Sequence, residues 1–250
     1  MDLQLKGKTA LVTGASMGIG RGIAKGLAAE GVKLCITARR RELLEQLARE
    51  IVAAGGPPPQ IAVVDIMEED APRRLAQEAV KGLGQINILI NCAGGSRPLP
   101  IDAPEEKWVE AMTLNFTRVR QLTHAVLPDM IKHKWGRVIN ITGKSEQDHL
   151  NAAHAAKAGV HSWAHGMAKE LGKYGITVNS IPPGRIISEQ ILRNNPEPVR
   201  KEFAERHIPA GRFGEPEELA CLAVFLASPV ACYISGTVIP VDGGLRRYSF

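Results

Sequence analysis

The sequence predicts a single doubly wound α/β domain, with a seven-stranded parallel sheet and helices on both faces. Three observations carry this expectation. Short runs rich in Val, Ile and Leu alternate with helix-length amphipathic runs along the whole chain, at intervals of roughly 20–30 residues. Most of the short runs are nearly continuous in aliphatic residues, as strands covered on both faces must be. No repeat, low-complexity block or long linker interrupts the alternation, so residues 1–250 read as one domain. The segment Gly55-Gly56-Pro57-Pro58-Pro59 resembles a linker in composition, but it spans only one helix-to-strand turn.

In chain order, Thr9–Thr13 is the first strand, followed by a glycine-rich turn and a helix over Arg21–Glu30. Lys33–Ala38 forms the second strand, and Arg41–Ala54 an amphipathic helix ending at Gly55. Gln60–Asp65 and Ile86–Asn91 are strands either side of a helix over Ala71–Lys81, where Pro72 suits a first turn. Arg137–Thr142 is the fifth strand, followed by a long helix over Ala152–Lys173. Thr177–Ile181 and Thr237–Val241 complete the sheet, with the Pro-started helix Pro216–Ala227 between them. Right-handed crossovers through these helices make the strands parallel.

Composition narrows the class further. Of 250 residues, 44% are hydrophobic and 23% charged, which excludes a disordered chain; only 4% are aromatic, so the core must be aliphatic. The longest apolar run, Leu219 to Ala227, is too short to cross a membrane, and Met1-Asp2-Leu3-Gln4-Leu5-Lys6 lacks the apolar core of a signal peptide. The net charge of +5 is scattered, which argues against a nucleic-acid binder. Cys35, Cys92, Cys221 and Cys232 have neither metal-ligand spacing nor disulfide density, so no metal site is expected. A reduced, cytoplasmic protein is the expectation.

The first turn points to a nucleotide. Thr13-Gly14-Ala15-Ser16-Met17-Gly18-Ile19-Gly20 joins the first strand to a helix, with spacing Gly-x3-Gly-x-Gly. Glycines let the backbone approach a pyrophosphate, whose charge then faces free N–H groups at the helix start. The second strand ends in Ala38-Arg39-Arg40-Arg41, where an NAD site expects an acid about 20 residues past the glycines. Guanidinium groups match a 2′-phosphate, so NADP is favoured over NAD; Arg39, first after the strand, leads, with Arg40 beside it.

These motifs resemble the short-chain dehydrogenase/reductase superfamily over essentially the whole chain, and with it the Rossmann fold. Gly14, Ser16, Met17, Gly18, Ile19 and Gly20 are similar to that family's cofactor turn. Asp65, with Ile66 after it, stands where the family holds the adenine amino group. Asn91-Cys92-Ala93-Gly94 resembles its Asn-Asn-Ala-Gly segment, with Cys92 replacing one Asn; the resemblance makes Asn91, Ala93 and Gly94 cofactor contacts. Leu114-Asn115 resembles the active-site Asn, and Pro183-Gly184 with Ile186 and Ser188 resembles the stretch that meets the nicotinamide. Gly211-Arg212-Phe213-Gly214-Glu215-Pro216, Tyr233-Ile234-Ser235-Gly236 and Val241-Asp242-Gly243-Gly244 resemble the 3-oxoacyl-carrier-protein-reductase-like branch. The resemblance also implies a homotetramer and a substrate lid over about residues 185–210.

One departure bears on chemistry. The family's relay is Asn, Ser, Tyr and Lys: Tyr exchanges the substrate proton, Ser orients the carbonyl oxygen, and Lys holds the cofactor ribose and lowers the Tyr pKa. Asn115 and Lys157 match, but Ala153 stands four residues before Lys157 and Gly143 falls on the Ser position. The three tyrosines, Tyr174, Tyr233 and Tyr248, all lie beyond this segment. Candidate replacements are Ser145 and Lys144 in the shortened loop, His149, Tyr248, and His154, although one helical residue turns the last by roughly 100° from the Tyr direction. Arg97, Lys144 and Arg185 follow strand ends and suggest an anionic small-molecule substrate. The expected function is an atypical NADP-dependent reductase acting on a carbonyl/alcohol pair. A dehydratase or isomerase, or a non-catalytic NADP-binding protein, remains compatible with the same residues.

Overall fold

The structure is a computed structural model that describes residues 1–143 and 149–246. Six strands form one parallel sheet: β1 (Thr9–Thr13), β2 (Lys33–Ala38), β3 (Gln60–Val63), β4 (Ile88–Asn91), β5 (Gly136–Ile141) and β6 (Ile176–Ile181), in the spatial order β3-β2-β1-β4-β5-β6. The chain steps outward through β1, β2 and β3, then crosses back to lay β4 beside β1. That reversal opens a crevice at the carboxyl ends of β1 and β4, the place where open α/β sheets bind ligands.

Alternate residues along each strand face two separate cores. Ala10, Val12, Leu34, Ile36, Ile88, Ile90 and Ile139 pack under α1 (Gly18–Ala29), α2 (Arg41–Ala53) and α9 (Pro216–Ala227). Leu11, Cys35, Leu89, Val138 and Val178 pack under α3 (Ala71–Leu83), α5 (Arg118–His133) and α6 (Ala152–Leu171). The aliphatic continuity of the strands thus reports burial on both faces. The remaining helices are α4 (Glu105–Met112), α7 (Glu189–Asn194) and α8 (Glu197–His207), the last two spanning the expected lid.

The seventh strand is a correction. Thr237–Val241 runs beside β6 but joins it only through isolated bridges, Ser180 to Val238 and Pro183 to Val241. Ser180 N donates to Thr237 O at 2.9 Å, and Gly184 N to Val241 O at 2.9 Å. The donor that the register requires midway between them is residue 182, a proline with no N–H. The ladder breaks there, and the sheet has six strands.

At the carboxyl edge, one row on the α5/α6 face is polar. Thr37 pairs with Thr13, Asn91 with Asn140, and Asn140 with Ser180, all buried. Asn91 Nδ2 donates to Asn140 Oδ1 at 2.9 Å and to Thr123 Oγ1 at 3.0 Å. Thr13 Oγ1 accepts from Cys92 N and Ala93 N, both at 3.0 Å, and so ties the tip of β1 to the turn after β4.

Candidate active site

Close backbone packing shapes the glycine turn. Gly14 has φ +65°, and a Cβ there would lie 3.0 Å from the Ala93 backbone. A Cβ on Gly20 would lie 2.3 Å from Gly14 O, so α1 can start this close to β1 only with glycine. The N-cap of α1, Met17, makes no side-chain hydrogen bond to the helix. The first N–H groups therefore stay available to an anion, on the positive end of the helix dipole. A pyrophosphate-bearing dinucleotide fits this cradle, with Gly14 to Gly20 as its walls.

Two arginines flank the turn differently. Arg39 is largely exposed, its Nη1 4.0 Å from Asp65 Oδ2. Arg40 points its Nη2 to Met17 Sδ at 3.4 Å and to Glu189 Oε2 at 3.4 Å. The sequence ranks Arg39 first, but the structure brings Arg40 to the glycine turn, and Arg40 also spans to α7. Asp65 Oδ1 accepts from Met67 N at 3.0 Å, which leaves Oδ2 facing outward near Arg39.

Catalytic candidates converge on Gly94. A Cβ at Gly94 would lie 2.9 Å from Asn115 Oδ1 and 3.7 Å from Lys157 Nζ. Asn115 sits in a π-helical turn, Thr113–Thr117, between α4 and α5. Its Oδ1 accepts from Gly95 N at 3.0 Å and its Nδ2 donates to Ala111 O at 3.0 Å, so its amide is held on both sides. Such single π turns occur often at functional sites. Lys157 Nζ donates to Thr142 O at 3.0 Å. Burial holds this ammonium below the ordinary lysine range, partly offset by the nearby Cys92. The Cys92 thiol is itself pushed up to about 12 by burial, so it is no nucleophile at neutral pH.

Ala153 is buried at the start of α6, and its N–H donates to Asn151 Oδ1 at 3.0 Å. A Cβ on Gly143 would lie 3.2 Å from Lys157 Cδ and 3.6 Å from His154 Cδ2. His154 therefore flanks position 143 beside Lys157; the one-residue turn along α6 does not carry it to a distant surface. Ser145, Lys144 and Tyr248 lie outside the described residues. His149 is exposed.

Other candidates divide by place. Asn91 spends its amide on Thr123 and Asn140, so it braces the site from beneath, whereas Ala93 and Gly94 present backbone to it. Ser188 caps α7 through Ile191 N at 3.2 Å, and the Gly18 Cβ position lies 3.4 Å from its Cβ. Ile186 bridges Gly214, and Pro183 bridges Val241, which ties the Pro183-Gly184 turn after β6 to those two segments. Arg97 pairs with Glu110 at 3.0 Å, and Arg185 lies over the Phe203 ring at 4.8 Å.

Two groups escaped sequence reading. Asn151 Oδ1 accepts from Arg97 N at 3.1 Å, and its Nδ2 donates to Ser96 Oγ at 2.8 Å, stitching the loop after β4 to α6. A cap Asn directly before an Ala-rich helix is the signal that marks it. His161 Nε2 meets Thr142 Oγ1 at 2.7 Å, and burial, with Arg246 and Lys157, keeps its ring neutral-leaning. Nothing in its sequence neighbourhood distinguishes it.

The family described as enoyl-(acyl carrier protein) reductase matches residues 14–246. The 3-oxoacyl-[acyl-carrier-protein] reductase FabG of Pseudomonas aeruginosa is 36% identical over 247 residues, which are 97% of this chain and 99% of that protein. A 7 alpha-hydroxysteroid dehydrogenase solved with NADH and 7-oxo glycochenodeoxycholic acid superposes with TM-score 0.91 at 33% identity, covering 97% of this chain and 96% of that one. L-sorbose reductase from Gluconobacter frateurii, solved with NADPH and L-sorbose, superposes with TM-score 0.93 at 29% identity, covering 99% and 100%. Among the described residues no helix is long and apolar enough to cross a membrane.

Proposed function

The chain belongs to the short-chain dehydrogenase/reductase superfamily, and on that premise we propose that it is an atypical NADP-dependent oxidoreductase acting on a small carbonyl/alcohol pair, of 3-oxoacyl type. One arrangement supports the reading: the glycine turn abuts Ala93, and at the next residue the half-kept set comes together. Lys157 and Asn115 meet at Gly94, and Ala153 stands where a phenol is expected. NADP, when bound, supplies hydride transfer. The remaining contributions come from the chain. Gly14 to Gly20 hold the phosphates, Asp65 and Ile66 the adenine, Arg39 and Arg40 the 2′-phosphate, and Lys157 the ribose. Ser188, Pro183 and Gly184 shape the nicotinamide end. The proposal includes one domain over residues 1–250, a lid over about 185–210, a homotetramer and a cytoplasmic setting. Substrate charge is left out of it, because Arg97 and Arg185 are already engaged by Glu110 and Phe203.

Reduction also needs a proton for the substrate oxygen, and an imidazole suits that task at neutral pH. His154 Cδ2 would lie 3.6 Å from a Cβ at Gly143, on the flank of Lys157. With keto-ester substrates, His154→Gln is expected to lower kcat by about 10²-fold while NADPH affinity stays within about twofold. An unchanged kcat would remove His154 and pass the role to Ser145 or water.

Cofactor choice is tested separately by fluorescence titration. NADPH is expected to bind at least about tenfold more tightly than NADH, from one charge-assisted phosphate contact. Arg40→Ala should erase most of that difference, and Arg39→Ala less. Equal affinities in the unaltered protein would rule NADP preference out.

A further inference from the structure

Arg118 is a buried cation that neither the phosphate cradle nor the catalytic set uses. It opens α5, one helical turn after Leu114, and is only 9% exposed. Its Nη2 donates to Met67 O at 2.8 Å and its Nη1 to Gln121 Oε1 at 2.7 Å. Its Nε is buried with no hydrogen-bond partner among the described residues. Arg118 also lines a cavity of about 10 Å³, shared with Thr13, Ile66, Asn91, Ala93 and Leu114. That volume admits no more than a single water, so the cavity is not itself a ligand site.

Burying an uncompensated guanidinium costs free energy, and a hydrophobic side chain of similar size is often better for stability. What this one holds is specific. Met67 is pinned at both ends, its N–H by Asp65 Oδ1 and its carbonyl by Arg118. These two bonds, with Glu68 N to Asp65 O at 3.1 Å, fix the turn that leaves Asp65 Oδ2 facing outward, 4.0 Å from Arg39 Nη1.

We propose that Arg118 is a positioning residue for purine recognition: it holds the Asp65–Met67 turn so that Asp65 accepts from the 6-amino group of the cofactor's adenine. The inference rests on the NADP reading above and adds a base-discriminating device to it. Loss of Arg118 frees the Met67 carbonyl, and Asp65 then no longer has one set direction. Phosphate and ribose contacts are made elsewhere and are spared.

The test compares NADPH, its hypoxanthine analogue, which lacks the 6-amino group, and reduced nicotinamide mononucleotide, which lacks the purine. The unaltered protein is expected to favour NADPH over the analogue by about tenfold, one hydrogen bond to a carboxylate. Arg118→Met should bring that ratio to about one, leave mononucleotide affinity within about twofold, and keep the melting temperature or raise it. Arg118→Lys retains the charge but loses the planar fork, so its ratio should fall between; it also serves if the Met variant does not fold. A merely structural role would weaken both dinucleotides equally and leave the ratio at its starting value in both variants, which overturns the proposal. A protein that binds NADPH and its analogue equally well overturns it too, while cofactor binding stands. Failure to bind either dinucleotide removes the NADP reading instead.

Discussion

In a His154→Gln background, Ala153→Tyr combined with Gly143→Ser is expected to raise keto-ester reduction by about 10²–10⁴-fold, the worth of a positioned general acid. In the unaltered protein, where His154 already serves that step, the gain is smaller. Residue 153 lies four positions before Lys157 on α6, so a phenol there shares a helix face with the ammonium. A nearby positive charge lowers a phenol's pKa toward the working range. Because burial already holds Lys157 below the ordinary lysine range, its charge is lost earlier on raising the pH than an exposed lysine's would be. The gain should therefore be greatest at neutral to mildly alkaline pH and should decline on the alkaline side as Lys157 deprotonates. Gly143→Ser meets Lys157 Cδ at 3.2 Å, a flexible neighbour that yields by a few tenths of an ångström. Alone it should change little, since an orienting hydroxyl has no acid to work with. Turnover unchanged in the double variant, with NADPH still bound, would show that position 153 is not the acid position. Misplacement of the new groups by about 1 Å would instead give a gain of only a few-fold.

Gly20→Ala is expected to cost cofactor affinity about 30- to 150-fold, and to lower the melting temperature. The added methyl would sit 2.3 Å from Gly14 O and 2.8 Å from Gly14 C, contacts that only a backbone shift can relieve. Overpacking of this kind costs about 2–3 kcal/mol, and here the shift separates α1 from the turn that shapes the phosphate cradle. Titration with NADPH and thermal unfolding, measured together, check it. Wild-type affinity in a destabilised Gly20→Ala protein would detach the turn from cofactor binding.

Where local chemistry and tertiary packing agree, the elements are legible from residues alone. β1, β2 and α9 begin and end where aliphatic runs, glycines and Pro216 place them. β3 ends two residues early: Val64 N still donates to Ala38 O at 3.2 Å, but Asp65 turns away into the bend where it accepts from Met67 N. Thr237–Val241 has a strand's composition, but its partner's prolines lie in a different part of the chain, and only the fold brings them opposite. The glycine turn, Lys157 and Asn115 are visible because their spacing is local. The interplay of Arg40 with Met17 and Glu189 is not, since it joins residues 23 and 149 positions apart. His154 illustrates a subtler limit. Helical rotation predicts its bearing relative to position 153, yet what lies in that direction is Gly143, from β5's end, and no helical periodicity reports that.

The polar row across the sheet has a consequence for how the chain finds its register. Hydrophobic rows tolerate a slip between parallel strands, since one Val or Ile packs much like the next. Asn91, Asn140 and Thr123 do not, because each amide bond is made only when β4, β5 and α5 are aligned as they are. A one-residue displacement of β5 would turn Asn140 toward the α1/α9 face, among Ile88 and Ile90, and leave Asn91 with only Thr123 as an acceptor, one amide hydrogen unpaired. Each such orphan costs about 1–3 kcal/mol. The row acts as a keyed joint in an otherwise interchangeable aliphatic stack. It rejects misregistered assemblies by the same bonds that hold the floor of the crevice in place.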